Sequence, residues 1–252
     1  MRKAMPCVGL IVIAGSLTMI VAPDDENAAE PVPVSVTEVL PTVVIDPGHG
    51  GRDDGARNGW LVEKHLTLDV ALRLEKVLQE IGFPTLLTRR DDRYLRLSER
   101  TTMANQVTNS LFVSLHFNHA RGTESTGLET FFASEKLEEE PPWAWTGFFN
   151  PPLPTRRDNG EILAACIQTA LVKRTQGENR GIRGRPFYVT RHTRAPAVLV
   201  ECGFINNPME SRMIANAGYR DLLARSIAEG LASFHKSRPR PAPESALPIG
   251  AQ

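Results

Sequence analysis

VVIDPGHGG, residues 43–51, begins as a buried strand and ends in a glycine-rich turn carrying one histidine. A β-branched run of this kind belongs at the centre of a sheet covered on both faces. The chain then leaves through Asp46 and Pro47 and displays His49 between Gly48, Gly50 and Gly51. Glycine accepts backbone angles that a Cβ resists, and it leaves space beside a neighbouring side chain. A plain turn, a phosphate loop and a metal ligand all fit that description. The rest of the chain has to separate them.

Outward from this strand, short apolar runs alternate with longer amphipathic ones. Strands are expected at 42–46, 84–88, 111–115, 127–132, 185–189 and 197–201. A helix is expected from Glu63 to Ile81, because Leu66, Val70, Leu74, Val77 and Ile81 recur near the 3.6-residue period. Further helices fall at 97–108, 159–175 and 219–235. In NNPME, Asn207 can cap another, with Pro208 at its first position and Glu210 reaching back. Strands alternating with helices define an α/β fold: a three-layer sandwich with a largely parallel sheet of about six strands.

The ends differ from this middle. Arg2 and Lys3 precede the apolar run VGLIVIAGSLTMIVA, residues 8–22, and a polar stretch follows. That order reads as an export signal, placing the protein in the periplasm or cell envelope. The run is shorter than the ~20 residues that comfortably span a bilayer, and with no clean cleavage triplet an uncleaved N-terminal membrane anchor stays open. Residues 23–41 read as a linker and the proline-rich 237–252 as a disordered tail, leaving 42–236 as the folded domain. The formal net charge is zero, which gives no field for nucleic acid. Cys166 and Cys202 read as two separately buried thiols, and no CxxC pair marks a thiolate metal site.

Functional groups in open α/β sheets gather beyond the carboxyl ends of the strands. His49 follows strand 42–46, His116 follows 111–115 and Glu201 ends 197–201, while Glu63 opens the first long helix. Two histidines and a carboxylate are a common ligand set for catalytic zinc, with water in the fourth position. A second carboxylate can then move protons. No Gly-Lys-Ser/Thr follows the turn and no complete G-x-G-x-x-G is present, so a phosphate loop fits poorly. Taken singly, Glu63 could be only a helix-start acid favoured by the dipole. Glu201 follows four apolar residues, where an unpaired charge is expensive.

DPGHGGRDDGA, the EK pair at 63–64, LTRRDDRYLRLSERTTMAN, SLHFNHA, APAVLVECGFINNP and IAEGLASF occur in that order. Together they resemble the zinc-dependent N-acetylmuramoyl-L-alanine amidases of bacterial cell walls, the amidase type 3 family, from about residue 42 to 235. The resemblance implies Zn2+ held by His49, Glu63 and His116, with Glu201 as the catalytic carboxylate. It implies hydrolysis of the amide between N-acetylmuramic acid and L-alanine by water activated at the zinc. Asn118 is a candidate donor to substrate. The partners are then peptidoglycan and an activator protein, for a chain read as a monomer.

Other candidates carry less. His65 lies two positions beyond Glu63 and points about 200° away on a helix. His119 follows Asn118 without a required role, His192 reads as a solvated loop residue, and His235 suits the end of the last helix. Arg89 and Arg100 match family positions, although an ion pair explains either. Segment 134–158, with its prolines, acidic run, Trp143 and Trp145, departs from the family pattern and reads as a rim element or a surface loop. Two competing functions fit less well: a carboxypeptidase-like hydrolase would need an H-x-x-E ligand pair, which the sequence lacks, and a wall-binding scaffold would not need all four site residues.

Overall fold

The structure, a computed structural model, describes residues 39–133 and 156–238 together with two short strands at 12–13 and 16–17. In the N-terminal unit, residues 1–39, the two described strands pair antiparallel. The expected signal, most of the linker and the proline-rich tail lie largely outside the described residues, as does segment 134–155.

The second unit is built on a six-stranded sheet: β1 (Thr42–Pro47), β2 (Thr85–Leu87), β3 (Ser110–Asn118), β4 (Leu128–Phe132), β5 (Asn179–Gly184) and β6 (Ala197–Phe204), in the spatial order β2-β1-β3-β6-β4-β5. The four strands β2, β1, β3 and β6 run parallel. β4 pairs antiparallel with β6 and parallel with β5. The sheet is therefore mixed but mostly parallel, flanked by α1 (Glu63–Glu80), α2 (Leu97–Asn105), α3 (Arg156–Thr175), α4 (Tyr188–His192), α5 (Pro208–Ala215) and α6 (Ala217–Ser237).

Side chains alternate between the two faces of a strand, and here the faces bury unequal cores. Val43, Ile45, Leu111, Val113, Leu115, Val198 and Val200 join the large core with the apolar sides of α1, α3 and α6. Val44, Phe112, Phe131, Ala197 and Leu199 face a small core with Ala104 of α2 and Val189 of α4. Each of these rows continues past the apolar part of the strand. Continued by the same alternation, Val44 leads to Asp46, Phe112 to Ser114 and His116, and Ala197 to Leu199 and Glu201. The thin face therefore becomes polar at the carboxyl end of the sheet.

Two expectations fail locally. The stretch 185–189 is not a strand: the sixth strand is β5, and Tyr188 already belongs to α4. β5 is the polar edge strand NRGIRG, with Gly181 at a φ of 82° and a register shift opposite β4, so it carries no apolar alternation to read. Asn207 does cap α5, accepting from Met209 N and Glu210 N, but Glu210 does not reach back to the cap. Its carboxylate accepts instead from Gly127 N and Phe204 N, tying β4 to β6. Cys166 and Cys202 are free thiols, Cys202 buried and Cys166 half-buried.

α3 and α6 cross at Gly230, where an added Cβ would lie 2.5 Å from the Ile167 Cα. A glycine inside a helix ordinarily costs about 1 kcal/mol relative to alanine, yet here the close approach reverses the sign. Gly230→Ala is expected to lower stability by about 1–3 kcal/mol, the usual cost of overpacking. A urea midpoint at or above the parent's would contradict this crossing.

Candidate metal centre

The turn after β1 is held from beneath. Asp46, 1% exposed, accepts from Thr88 Oγ1 at 2.6 Å, Ser114 Oγ at 2.8 Å and an Arg100 guanidinium nitrogen at 2.8 Å. Arg100 also donates to the carbonyls of Pro47 and His49, at 2.7 and 2.6 Å. Arg89, fully buried, donates to Pro47 O, Gly48 O and Lys64 O. Burial, with the neighbouring Arg100 charge, pushes the Arg89 pKa down to about 10, still high enough to stay charged at neutral pH. Both arginines thus serve the turn's carbonyls from the interior.

His49 itself has a φ of 60°, left-handed for a residue with a Cβ, a conformation that costs roughly 1–2 kcal/mol. The return is a ring aimed at two partners. Its Nδ1 lies 3.0 Å from Asp53 Oδ2 and its Nε2 lies 3.0 Å from Glu63 Oε1. His116 Nδ1 lies 3.0 Å from the same Glu63 oxygen. The second Glu63 oxygen accepts from Ala56 N at 2.7 Å, and Phe117 N donates to the first at 3.0 Å. Glycines leave this room: a Cβ on Gly48 would sit 2.4 Å from the His116 ring, and one on Gly55 would sit 2.5 Å from Glu63 Oε2.

One ligand atom from each of His49, Glu63 and His116 lies within 4.8 Å of the others. The set fits a divalent metal by its chemistry: two imidazoles, one buried carboxylate, and a further carboxylate 3.0 Å from the far nitrogen of one imidazole. Asp53, four residues past His49, was not singled out in the sequence. An acid that close after a turn histidine is the signal that could have found it.

Glu201 sits beside His116 across the β3–β6 pairing and opposite Glu129 of β4. Glu129 is itself engaged by Arg183. Glu201 Oε2 is buried without a hydrogen-bond partner among the described residues. Burial, reinforced by the charges of Glu63 and Glu129, pushes the Glu201 carboxyl well above the usual carboxylate range. Glu201, His49 and His116 all line a cleft of about 390 Å³ on the thin side of the sheet. Asn118 stands at the end of β3, its side-chain oxygen accepting from His119 N. His65 is exposed and lies 3.7 Å from Asp92, and His192 ends α4 rather than a loop.

A protein-family model described as N-acetylmuramoyl-L-alanine amidase matches residues 43–233. The chain is 31% identical over 195 residues to the N-acetylmuramoyl-L-alanine amidase LytC of Bacillus subtilis, covering 77% of this chain and 36% of LytC. Among solved structures, an N-acetylmuramoyl-L-alanine amidase from Clostridium difficile 630 superposes with a TM-score of 0.69 at 32% identity, over 79% of this chain and 99% of that one. The CwlD amidase of Clostridioides difficile, solved in complex with the GerS lipoprotein, superposes at 0.67 and 26% identity, over 78% and 98%.

Without a metal, Glu63 depends on its histidines. Burial pushes its carboxyl up, but hydrogen bonds and charge from His116 and His49 outweigh this and hold it well below its ordinary 4.5. Burial pushes His49 down, and Glu63 with Asp53 more than offset that, leaving it above 6.5. A lowered carboxyl stabilises the fold above its unfolded value and loses that contribution in acid. A raised imidazole stabilises below its unfolded value and loses the contribution as pH rises. Both contributions overlap between pH 4.5 and 6.5. Chelator-treated protein should therefore exceed His49→Gln in urea midpoint most in that window, with the gap closing at higher pH. A gap that widens toward alkaline pH would contradict the ion pairs.

Proposed function

The chain belongs to the N-acetylmuramoyl-L-alanine amidase family, and on that premise we propose that zinc held by His49, Glu63 and His116, with Glu201 as proton carrier, serves its hydrolysis of the amide joining muramic acid to L-alanine in peptidoglycan. The observation that carries this is the pairing of the His–Glu–His set with Glu201, whose Oε2 is buried without a hydrogen-bond partner among the described residues, in the same cleft. When bound, zinc polarises the scissile carbonyl and acidifies water beside it.

The remaining work falls to the chain's own groups. Asp53 places a negative charge 3.0 Å from the far nitrogen of His49, and the braced turn fixes the ring's direction. Glu201 takes a proton as water attacks and returns it to the departing amine of L-alanine. A carboxyl that burial and two neighbouring acids push upward is suited to holding that proton between the two events. Asn118 can offer its amide NH2 to substrate from the same edge of the sheet. The basic and apolar start of the chain supports export, as a cleaved signal or as an anchor, to a periplasm or envelope where the wall lies. Among the described residues no helix is long and apolar enough to cross a membrane. The complex of CwlD with a lipoprotein supports an activator protein as partner.

Mass spectrometry of purified muropeptides after incubation is the direct test. Zinc-loaded protein should release free stem peptides that begin with L-alanine. Glu201→Gln should keep its zinc yet lose turnover about a hundredfold or more. Equal turnover in the variant, or cleavage inside the stem, would sink the reading. Gly48→Ala offers a second check, since its added Cβ must push the His116 ring aside. It should fold and yet bind zinc more weakly, as read by competition with a chromogenic chelator.

A further inference from the structure

We propose that Tyr94 and Tyr188 form a clamp for the sugar ring of the substrate, so that the glycan side of the scissile bond occupies the cleft between the metal centre and α4. The inference rests on the amidase reading and adds which half of the substrate this cleft takes.

Both tyrosines line the cleft and both remain 40% exposed. Each ring already has a partner on one side. The Arg52 guanidinium carbon lies 4.3 Å from the Tyr94 ring centroid. Tyr188 stacks on His192, with centroids 4.0 Å apart and planes inclined by 18°. His192 Nδ1 lies 3.0 Å from Tyr188 O, which ties that stack to the helix backbone. The backbone under Tyr94 is equally fixed, since a Cβ on Gly51 would lie 2.6 Å from Tyr94 N. Two pre-set aromatic rings at one cleft need little ordering to bind, and ordering is a main cost of association. A pyranose presents a patch of C–H groups that matches an aromatic face, while its hydroxyls keep to water.

Charge separates the sugar from the other half of the substrate. A stem peptide carries carboxylates and needs cations. Among the described residues lining this cleft, the arginine is Arg100, whose nitrogens already serve Asp46 and the carbonyls of Leu95, Pro47 and His49. Asp53 and Glu201 add acidic groups on the same wall. Arg52 lies against one face of the Tyr94 ring, and the wall left open, with Asp53 and Glu201 on it, favours an uncharged ring over an anionic peptide.

The test compares two substrates of the same stem sequence, an N-acetylmuramoyl peptide and a D-lactoyl peptide that keeps the scissile amide but lacks the ring. With zinc-loaded full chain, Tyr94→Ala and Tyr188→Ala should each raise KM for the muramoyl peptide about tenfold. The same variants should keep kcat within about twofold, retain their zinc, and cleave the lactoyl peptide as the parent does. Tyr94→Phe and Tyr188→Phe, which keep the ring face, should restore KM. Equal losses on both substrates would place the peptide or a general fold effect at these rings and overturn the clamp. Unchanged KM on the muramoyl peptide would overturn it as well. A parent that cleaves neither substrate would overturn the amidase reading, and the clamp with it.

Discussion

The Asp46–Arg100 ion pair beneath the glycine turn is the contact on which the site depends. It is sealed from water, 2.8 Å long, and its carboxylate is completed by Thr88 and Ser114. Removing one partner of a buried pair typically costs about 3–5 kcal/mol, because the other charge is stranded. Here the consequence extends beyond stability. The same guanidinium grips the His49 carbonyl, and His49 occupies a left-handed conformation that needs such restraint. Arg89 completes the brace from the side of α1 by reaching Gly48 O and Lys64 O, so the turn and the start of the helix that bears Glu63 are fixed to one group.

The unequal layers explain where the cleft opens. α1, α3 and α6 fill one face of the sheet with a continuous core, whereas α2 and the single turn of α4 cover less of the other. On the thin side the apolar rows stop short of the strand ends, and the positions that follow in those rows are Asp46, Ser114 with His116, and Glu201. A parallel sheet brings successive strand ends to one edge, so residues 46, 116 and 201, far apart in sequence, become neighbours without any local motif. Glu201 meets His116 in register for that reason.

Much of this was legible in the residues. The β-branched centre strands, the helical period of α1 and the Asn207–Pro208 start of α5 are each local and strong, and they reported the α/β class. The convergence of the four candidate groups was legible because they stand at strand or helix ends, where the topology alone brings them close. What escaped reading has physical reasons. β5 is an edge strand held by pairing to β4 rather than by burial, so its sequence shows charge and glycine in place of alternation. Tyr188 looked like strand because β-branched and aromatic residues favour strands, a preference overridden here by the packing of Val189 into the small core. Glu210 looked like a capping residue, and its true partners, Gly127 N just before β4 and Phe204 N in β6, are brought to it only by the fold. Arg89 and Arg100 could not be told from surface charges, since burial of an arginine depends on carbonyls that the sequence does not mark.

The central claim is that the braced turn, the first helix and strand β3 converge on one zinc ion. Diffraction from crystals of the zinc-loaded chain, collected on both sides of the zinc absorption edge, tests it most directly. The account predicts one anomalous peak at about 2.0–2.2 Å from an imidazole nitrogen of His49, an imidazole nitrogen of His116 and a carboxylate oxygen of Glu63. A peak bound by other residues, or none at this position in catalytically active protein, would contradict it.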